Sequence, residues 1–244
     1  MMQVLRSAIF TLVMATATCL WVIPCIIARL FPYHICFAIV SGWCTFNVTC
    51  ARIICGIEYE ISGIENIPDQ PCVIMSNHQS TWETLAYPSI FPTLTWVIKK
   101  ELLYVPFFGW GIASTQPIAL NRKQGKKALR QLIKDGREKI KLGRYVLIFP
   151  EGTRIPYGEE RPLKAGGFML AKQARVNILP VAHDSGRLWP RNGFLKTAGT
   201  IHLRIGKVID TQNMSAEQMR EEYTRWLKSA RQNIDQKHHK TIKN

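Results

Sequence analysis

Cys72-Val73-Ile74-Met75-Ser76-Asn77-His78-Gln79-Ser80-Thr81-Trp82-Glu83 is the stretch that decides the fold. Four apolar residues in a row fit a strand buried on both faces, and the polar run after them ends it. Residues 82–87 can then form a helix, so the chain reads strand, turn, helix. That order sets a histidine and a carboxylate at the mouth of a crossover, where α/β folds usually hold their chemistry. Residues five apart on one helix point about 140° away from each other. His78 and Glu83 therefore meet only if His78 stays on the turn while Glu83 occupies the first helical turn. So paired, they form a general base: the carboxylate orients the imidazole and stabilises it as it takes a proton. Ser80-x-x-Glu83 is also a capping box, which gives the same residues a purely structural reading.

Downstream of this octet, strands and helices alternate. Residues 58–61, 95–98, 117–120, 145–149, 178–182 and 201–205 read as strands. Residues 126–142 form an amphipathic helix with Leu129, Leu132, Ile133 and Ile140 as its apolar stripe. Its other face is dominated by Lys and Arg, which fits either plain solvation or adhesion to anionic lipid headgroups. Residues 165–175 are expected to be helical, and Ser215-x-x-Gln218 caps a last helix running to about residue 232. The predicted fold class is α/β: a mixed, largely parallel sheet flanked by helices.

Upstream lies a different texture. Residues 8–28 are nearly all apolar, enough as a helix to cross a hydrocarbon core of roughly 30 Å. Arg6 and Ala15-x-Ala17 mimic a cleaved signal peptide, but the run continues past them and a second apolar stretch follows at 35–57. That second stretch is interrupted by Thr45, Asn47, Thr49 and Arg52, a pattern suited to a re-entrant or interfacial helix. The expected organisation is a hydrophobic hairpin over 1–57 that anchors the chain to a phospholipid membrane, an α/β domain over 58–232, and a polar, basic, disordered tail over 233–244. The basic residues place the domain on the cytoplasmic face, the inner membrane in a bacterium.

The chain has 244 residues and a formal net charge of +15, from 32 basic and 17 acidic side chains, which calls for an anionic partner. Nucleic acid is disfavoured: the basic residues are not interleaved with a recognisable aromatic motif, and an anchor has no use there. The 7 cysteines all lie in the first third and none forms C-x-x-C, so neither disulfides nor a metal site are expected. Ser185, in His183-Asp184-Ser185-Gly186, lacks the G-x-S-x-G elbow of a hydrolase nucleophile.

Two further strand ends carry guanidinium groups. Phe149-Pro150-Glu151-Gly152-Thr153-Arg154 can present backbone N–H groups, a hydroxyl and Arg154 to one phosphate, and Asn121-Arg122 offers a second arginine. Taken with residues 77–83 and Ile178-Leu179-Pro180-Val181, these segments resemble the four ordered blocks of the glycerolipid acyltransferase family, its lysophosphatidic acid acyltransferases in particular. The resemblance covers about residues 58–210. Lys99-Lys100-Glu101-Leu102, Pro106-Phe107-Phe108-Gly109 and Lys164-x-Gly166 also look like family features. Two positions depart from the pattern: Glu83 stands where the family usually has aspartate, and Asn121 precedes the arginine where aspartate is commoner.

The resemblance implies transfer of an acyl group from a thioester donor, acyl-CoA or acyl-acyl carrier protein, to the free hydroxyl of a lysophospholipid. The implied acceptor is 1-acylglycerol 3-phosphate, and another lysophospholipid or glycerol 3-phosphate is the close alternative. His78 and Glu83 would be catalytic. Arg122, Glu151, Gly152, Thr153, Arg154 and, more weakly, Lys100 would bind substrate, with Glu151 fixing an arginine or a backbone turn rather than the phosphate. No cofactor or metal is called for, since a thioester is already activated. From a different class, a non-catalytic membrane-bound basic adaptor would need His78, Glu83 and Arg154 to be dispensable.

Overall fold

The computed structural model describes residues 1–241. Two apolar helices, α1 (Met2–Ala28) and α2 (Tyr33–Cys55), open the chain and pack on each other around the turn at Pro32. Both are long and apolar enough, by length and composition, to cross a membrane. Much of α1 is bare: Leu5, Leu12, Leu20, Ile23 and Ile27 are exposed. Its other side is buried through Phe10, Val22 and Cys25.

Seven strands follow: β1 (Ile57–Ser62), β2 (Val73–Ser76), β3 (Leu94–Lys99), β4 (Ile118–Leu120), β5 (Tyr145–Ile148), β6 (Ile178–His183) and β7 (Gly199–Ile205). They form one sheet in the order β1-β7-β6-β2-β5-β3-β4. The five strands from β6 to β4 are mutually parallel, while β7 runs antiparallel to β6 and pairs in parallel with β1 at the edge. The sheet is thus mixed and largely parallel, and the short apolar runs 73–75 and 145–148 sit at its centre. Every residue of β2, β5 and β6 is buried. Strands covered on both faces need this continuous apolar character, and alternation appears nearer the edges, in β7 and β4.

Two cores lie on opposite faces. One packs α2 and α3 (Trp82–Ile90) on the sheet through Cys44, Trp82, Tyr87, Leu147 and Val181. The other packs α5 (Lys126–Lys141), α6 (Gly166–Ala174) and α7 (Ala216–Thr241) through Leu132, Phe168, Leu170 and Tyr223. A buried leucine such as Leu170 cut back to alanine costs about 2–5 kcal/mol at such a site. Gly136 lets α5 approach α6: a Cβ there would lie 2.6 Å from a Leu170 methyl. A short helix, α4 (Phe108–Ala113), packs against α1.

The last helix continues well past residue 232, a correction to the expected tail. Met219, Tyr223, Leu227, Ala230 and Ile234 are all buried, so the apolar stripe that holds α7 to the sheet does not stop there. Ser215 and Gln218 cap its start reciprocally: the Ser215 N–H donates to Gln218 Oε1 (2.7 Å) and the Gln218 N–H to Ser215 Oγ (3.1 Å). Residues 242–244 of the expected tail lie outside the described residues.

Candidate active site

Because β2 to β6 run parallel, their carboxyl ends deliver five turns to one edge of the sheet. The turn after β2 carries His78. Its Nδ1 lies 2.7 Å from Glu83 Oε1, with Glu83 in the first turn of α3. Glu83 is fully buried and collects further donors: the Gln79 N–H (2.9 Å) and Ser80 N–H (2.9 Å) on Oε1, and Ser80 Oγ (2.9 Å) and Ser185 Oγ (2.8 Å) on Oε2. Ser80 Oγ in turn accepts the Trp82 N–H (2.8 Å). The capping box and the histidine pairing are therefore the same carboxylate in two uses. Burial alone would raise the Glu83 carboxyl, but the imidazoles of His183 and His78 and the Ser80 N–H hold it well below the usual carboxylate range. Ionised Glu83 can only accept, so His78 Nδ1 carries the proton and Nε2 keeps a free lone pair. Burial lowers the His78 pKa from its ordinary 6.5, an effect the Glu83 contact only partly offsets. The ring lies flat on Phe149, centroids 4.0 Å apart.

The turn is braced from β6. The Asn77 amide holds the His183 backbone at both N–H (3.0 Å) and carbonyl (2.9 Å). His183 Nδ1 accepts the Ser185 N–H (3.3 Å), so Nε2 carries the ring proton and donates it to the Asn77 carbonyl (2.7 Å). Gln79 Oε1 accepts the Gly186 N–H (3.0 Å). None of these braces is visible as a local pattern. Asn77 and Ser185 are singled out by the sequence, but their partners lie about a hundred residues away.

A cavity of about 320 Å³ opens beside His78. At its polar end are Arg122, Gly152, Thr153, Arg154, Arg191 and Asn192. At the other it is walled by Trp21 and Cys25 of α1, Val40 and Trp43 of α2, and Phe107 and Phe108 at the start of α4. Gly152 has φ 72, a left-handed turn, and a Cβ there would meet Lys164 Nζ at 2.7 Å. Arg122 donates to the Gly152 carbonyl, and the Ile155 N–H ties the same loop to the His78 carbonyl (2.7 Å). Burial lowers the pKa of both Arg122 and Arg154, and for Arg154 the neighbouring Arg191 charge adds to it.

Six of the eight candidate residues thus share this region: His78, Glu83, Arg122, Gly152, Thr153 and Arg154. Lys100 does not join them. It is exposed at the start of a 3-10 turn, and its neighbour Lys99 lines the cavity instead. Glu151 turns to the opposite side, into a small recess beneath Asn77 and His78 that also meets Arg231 of α7. Burial pushes its carboxyl up to about 7, only partly countered by the N–H groups of Glu151 and His78. Sequence reasoning missed Arg191, which lies in no recognisable block, and the tryptophans of the apolar wall. Among the described residues no cluster of three or more His, Cys, Asp or Glu side chains is arranged to hold a metal.

Fold and site together define an α/β enzyme-like scaffold: a histidine–glutamate pair at the carboxyl edge of a parallel sheet, opening on a cleft that is basic at one end and apolar at the other. A family model described as Acyltransferase matches residues 58–184, and the chain belongs to that family. It is 45% identical over 212 residues to a 1-acyl-sn-glycerol-3-phosphate acyltransferase of Pseudomonas aeruginosa, covering 86% of this chain and 82% of that one. A protein of the same description from Saccharomyces cerevisiae is 32% identical, with 89% and 72% covered. The fold matches the crystal structure of PlsC, a 1-acyl-sn-glycerophosphate (LPA) acyltransferase from Thermotoga maritima. The TM-score is 0.81 at 21% identity, over 96% of both chains. The protein is an acyltransferase.

Proposed function

We propose that this acyltransferase moves a fatty acyl group from a thioester donor, acyl-CoA or acyl-acyl carrier protein, to the free hydroxyl of 1-acylglycerol 3-phosphate, giving phosphatidic acid. The observation that carries the reading is His78 Nδ1 held 2.7 Å from a buried carboxylate, at the junction between a cluster of guanidinium groups and an apolar cleft. Such a site has a place for each part of the reaction. The arginines suit the acceptor phosphate, His78 the hydroxyl, and the apolar end a fatty acyl chain. The descriptions of the Pseudomonas and yeast relatives name the same acceptor.

In this mechanism the acceptor oxygen attacks the thioester carbonyl carbon. A C–O bond forms, the C–S bond breaks, and the hydroxyl proton passes to His78 Nε2 and from there to the leaving thiolate. Glu83 steadies the imidazolium in between. The phosphate is held by Arg122 and Arg154 against the 152–153 turn, while Glu151 supports the His78 turn from behind. The bare apolar side of α1 and the helix α2 anchor the enzyme to a phospholipid membrane with the α/β domain on the cytoplasmic face, so that it meets a bilayer-borne acceptor in two dimensions.

The test is direct. Purified protein is incubated with 1-acylglycerol 3-phosphate and an acyl-CoA or acyl-acyl carrier protein, and the lipid product is identified by mass. Phosphatidic acid formed by the wild type and lost in His78→Ala supports the reading. Turnover unchanged in that variant removes the general base, and a different acylated product redirects the acceptor.

A further inference from the structure

Three arginines converge on one turn, and none meets a carboxylate there. Arg122 donates to the Gly152 carbonyl, and Arg191 Nη1 donates to the Arg154 carbonyl at 2.8 Å. Arg154 lies between them, and its Nε is buried without a hydrogen-bond partner. Among the described residues none of the three forms a salt bridge. Glu83, whose charge Arg154 feels, is already taken up by His78, two backbone N–H groups and two serine hydroxyls. Arg122 and Arg154 are half-buried and Arg191 is exposed, and the carboxylates whose charge the first two feel, Glu101 and Glu83, form no salt bridge with them. Half-buried cations crowded in this way are costly unless an anion arrives to share them.

Arg191 comes from none of the four blocks, yet it lines the same cavity as His78 and Arg154. Its loop is not adrift on the surface. Trp189 packs edge-on against Phe10 of α1 (centroids 5.1 Å), and the Lys196 N–H donates to Ser7 Oγ (3.0 Å). With Nη1 spent on the Arg154 carbonyl, the guanidinium still has its Nε and Nη2 donors for a two-point grip on an oxyanion.

We infer that Arg191 is a third phosphate-binding residue, which with Arg122 and Arg154 completes a three-guanidinium cradle for a phosphate group carried by one of the two substrates. The inference rests on the acyl-transfer reading above and adds to it a residue and a ligand chemistry.

The experiment is steady-state kinetics on full-length wild type, Arg191→Ala and Arg191→Lys, with 1-acylglycerol 3-phosphate and acyl-CoA varied in turn. Losing charge-assisted hydrogen bonds to phosphate is expected to raise one substrate's KM about 10- to 100-fold in Arg191→Ala, with kcat within about twofold and Arg191→Lys in between. A rise confined to the acceptor, and absent with a phosphate-free monoacylglycerol, assigns the cradle to the lysophospholipid. A rise confined to acyl-CoA, and absent with an acyl thioester of N-acetylcysteamine, assigns it to the donor's phosphates. Both outcomes support the inference. Unchanged KM values for both substrates overturn it, as does a fall in kcat with an earlier thermal midpoint and no KM change, which would make Arg191 a prop for its loop. Wild type that forms no phosphatidic acid sinks the acyl-transfer reading itself; active wild type with an indifferent Arg191→Ala sinks only the cradle.

Discussion

Ser185 Oγ donates a hydrogen bond to Glu83 Oε2 at 2.8 Å, joining two residues 102 positions apart in the chain. The serine is fully buried, so this bond reaches the carboxylate from the turn after β6 while Ser80 and Gln79 reach it from its own turn. Replacing Ser185 with alanine leaves a buried oxygen short of one donor. The expected cost is about 1–3 kcal/mol of stability, read in urea melts, with a severalfold loss of kcat. A less satisfied Glu83 is also more basic and holds the imidazolium more tightly. The acid limb of the kcat/KM profile should therefore move to higher pH, a change that a merely structural serine would not produce.

His78→Ala should lower acyl transfer by about 10²–10⁴-fold or more while leaving the fold intact. In the wild type the pH dependence has a definite sign. A base works when neutral, and burial lowers the His78 pKa below 6.5, so activity should persist to lower pH than a free imidazole would allow. A pH–rate profile with its acid limb above that value contradicts the assignment.

Glu151 carries the opposite signature. Its folded pKa is raised from 4.5 to about 7, so the stability it contributes is fully present below about pH 4.5 and is lost as pH rises through 7. Glu151→Gln removes the ionisation but keeps the acceptor. It should stabilise the protein at about pH 8 by a few kcal/mol, roughly 1.4 kcal/mol for each pH unit separating the folded from the unfolded pKa. Near about pH 3.5, below the unfolded value of 4.5 as well as the folded one, the carboxyl is largely protonated in both states and the substitution should leave stability nearly unchanged. Denaturant melts at the two pH values decide it: equal effects at both would show that the carboxyl is not held neutral.

Val40→Trp should narrow the apolar end of the cavity, where Val40 stands beside Trp43 and Cys44. If the acyl chain lies there, long-chain thioesters lose kcat/KM more than short-chain ones, by roughly 10- to 20-fold for about two displaced methylenes at about 0.8 kcal/mol each. Competition between two acyl-CoA lengths, with products resolved by mass, measures it directly. A uniform loss across lengths would place the chain elsewhere.

How much of this is legible in the sequence follows from how far apart the interacting residues lie. His78 and Glu83 are readable because five residues of turn and helix suffice to bring them together. The central strands are readable because full burial demands unbroken apolar runs. Ser185 and Arg191 are not: each depends on where β6 and the loop after it come to rest against β2 and α1. Lys99 and Lys100 look alike in the chain, and only the end of β3 decides that the first lines the cavity and the second faces solvent. The end of α7 escapes a sequence reading because the polar composition past residue 232 hides Ile234, one side chain that keeps the helix on the core. The apolar start of the chain announces two helices but not their second use, as walls of the cleft.

That second use has a practical consequence. Phe10 props Trp189, Ser7 takes the Lys196 N–H, and Gln3 reaches Thr197 Oγ1 at 3.0 Å, while Ala51 and Cys55 of α2 are sunk in the core beside the sheet. Trimming the first fifty-odd residues to obtain a water-soluble preparation would not yield the same catalyst set free. It would strip the lining from the greasy half of the pocket and slacken the loop bearing Arg191, so biochemistry on this protein belongs on the full-length chain, with both apolar helices in place.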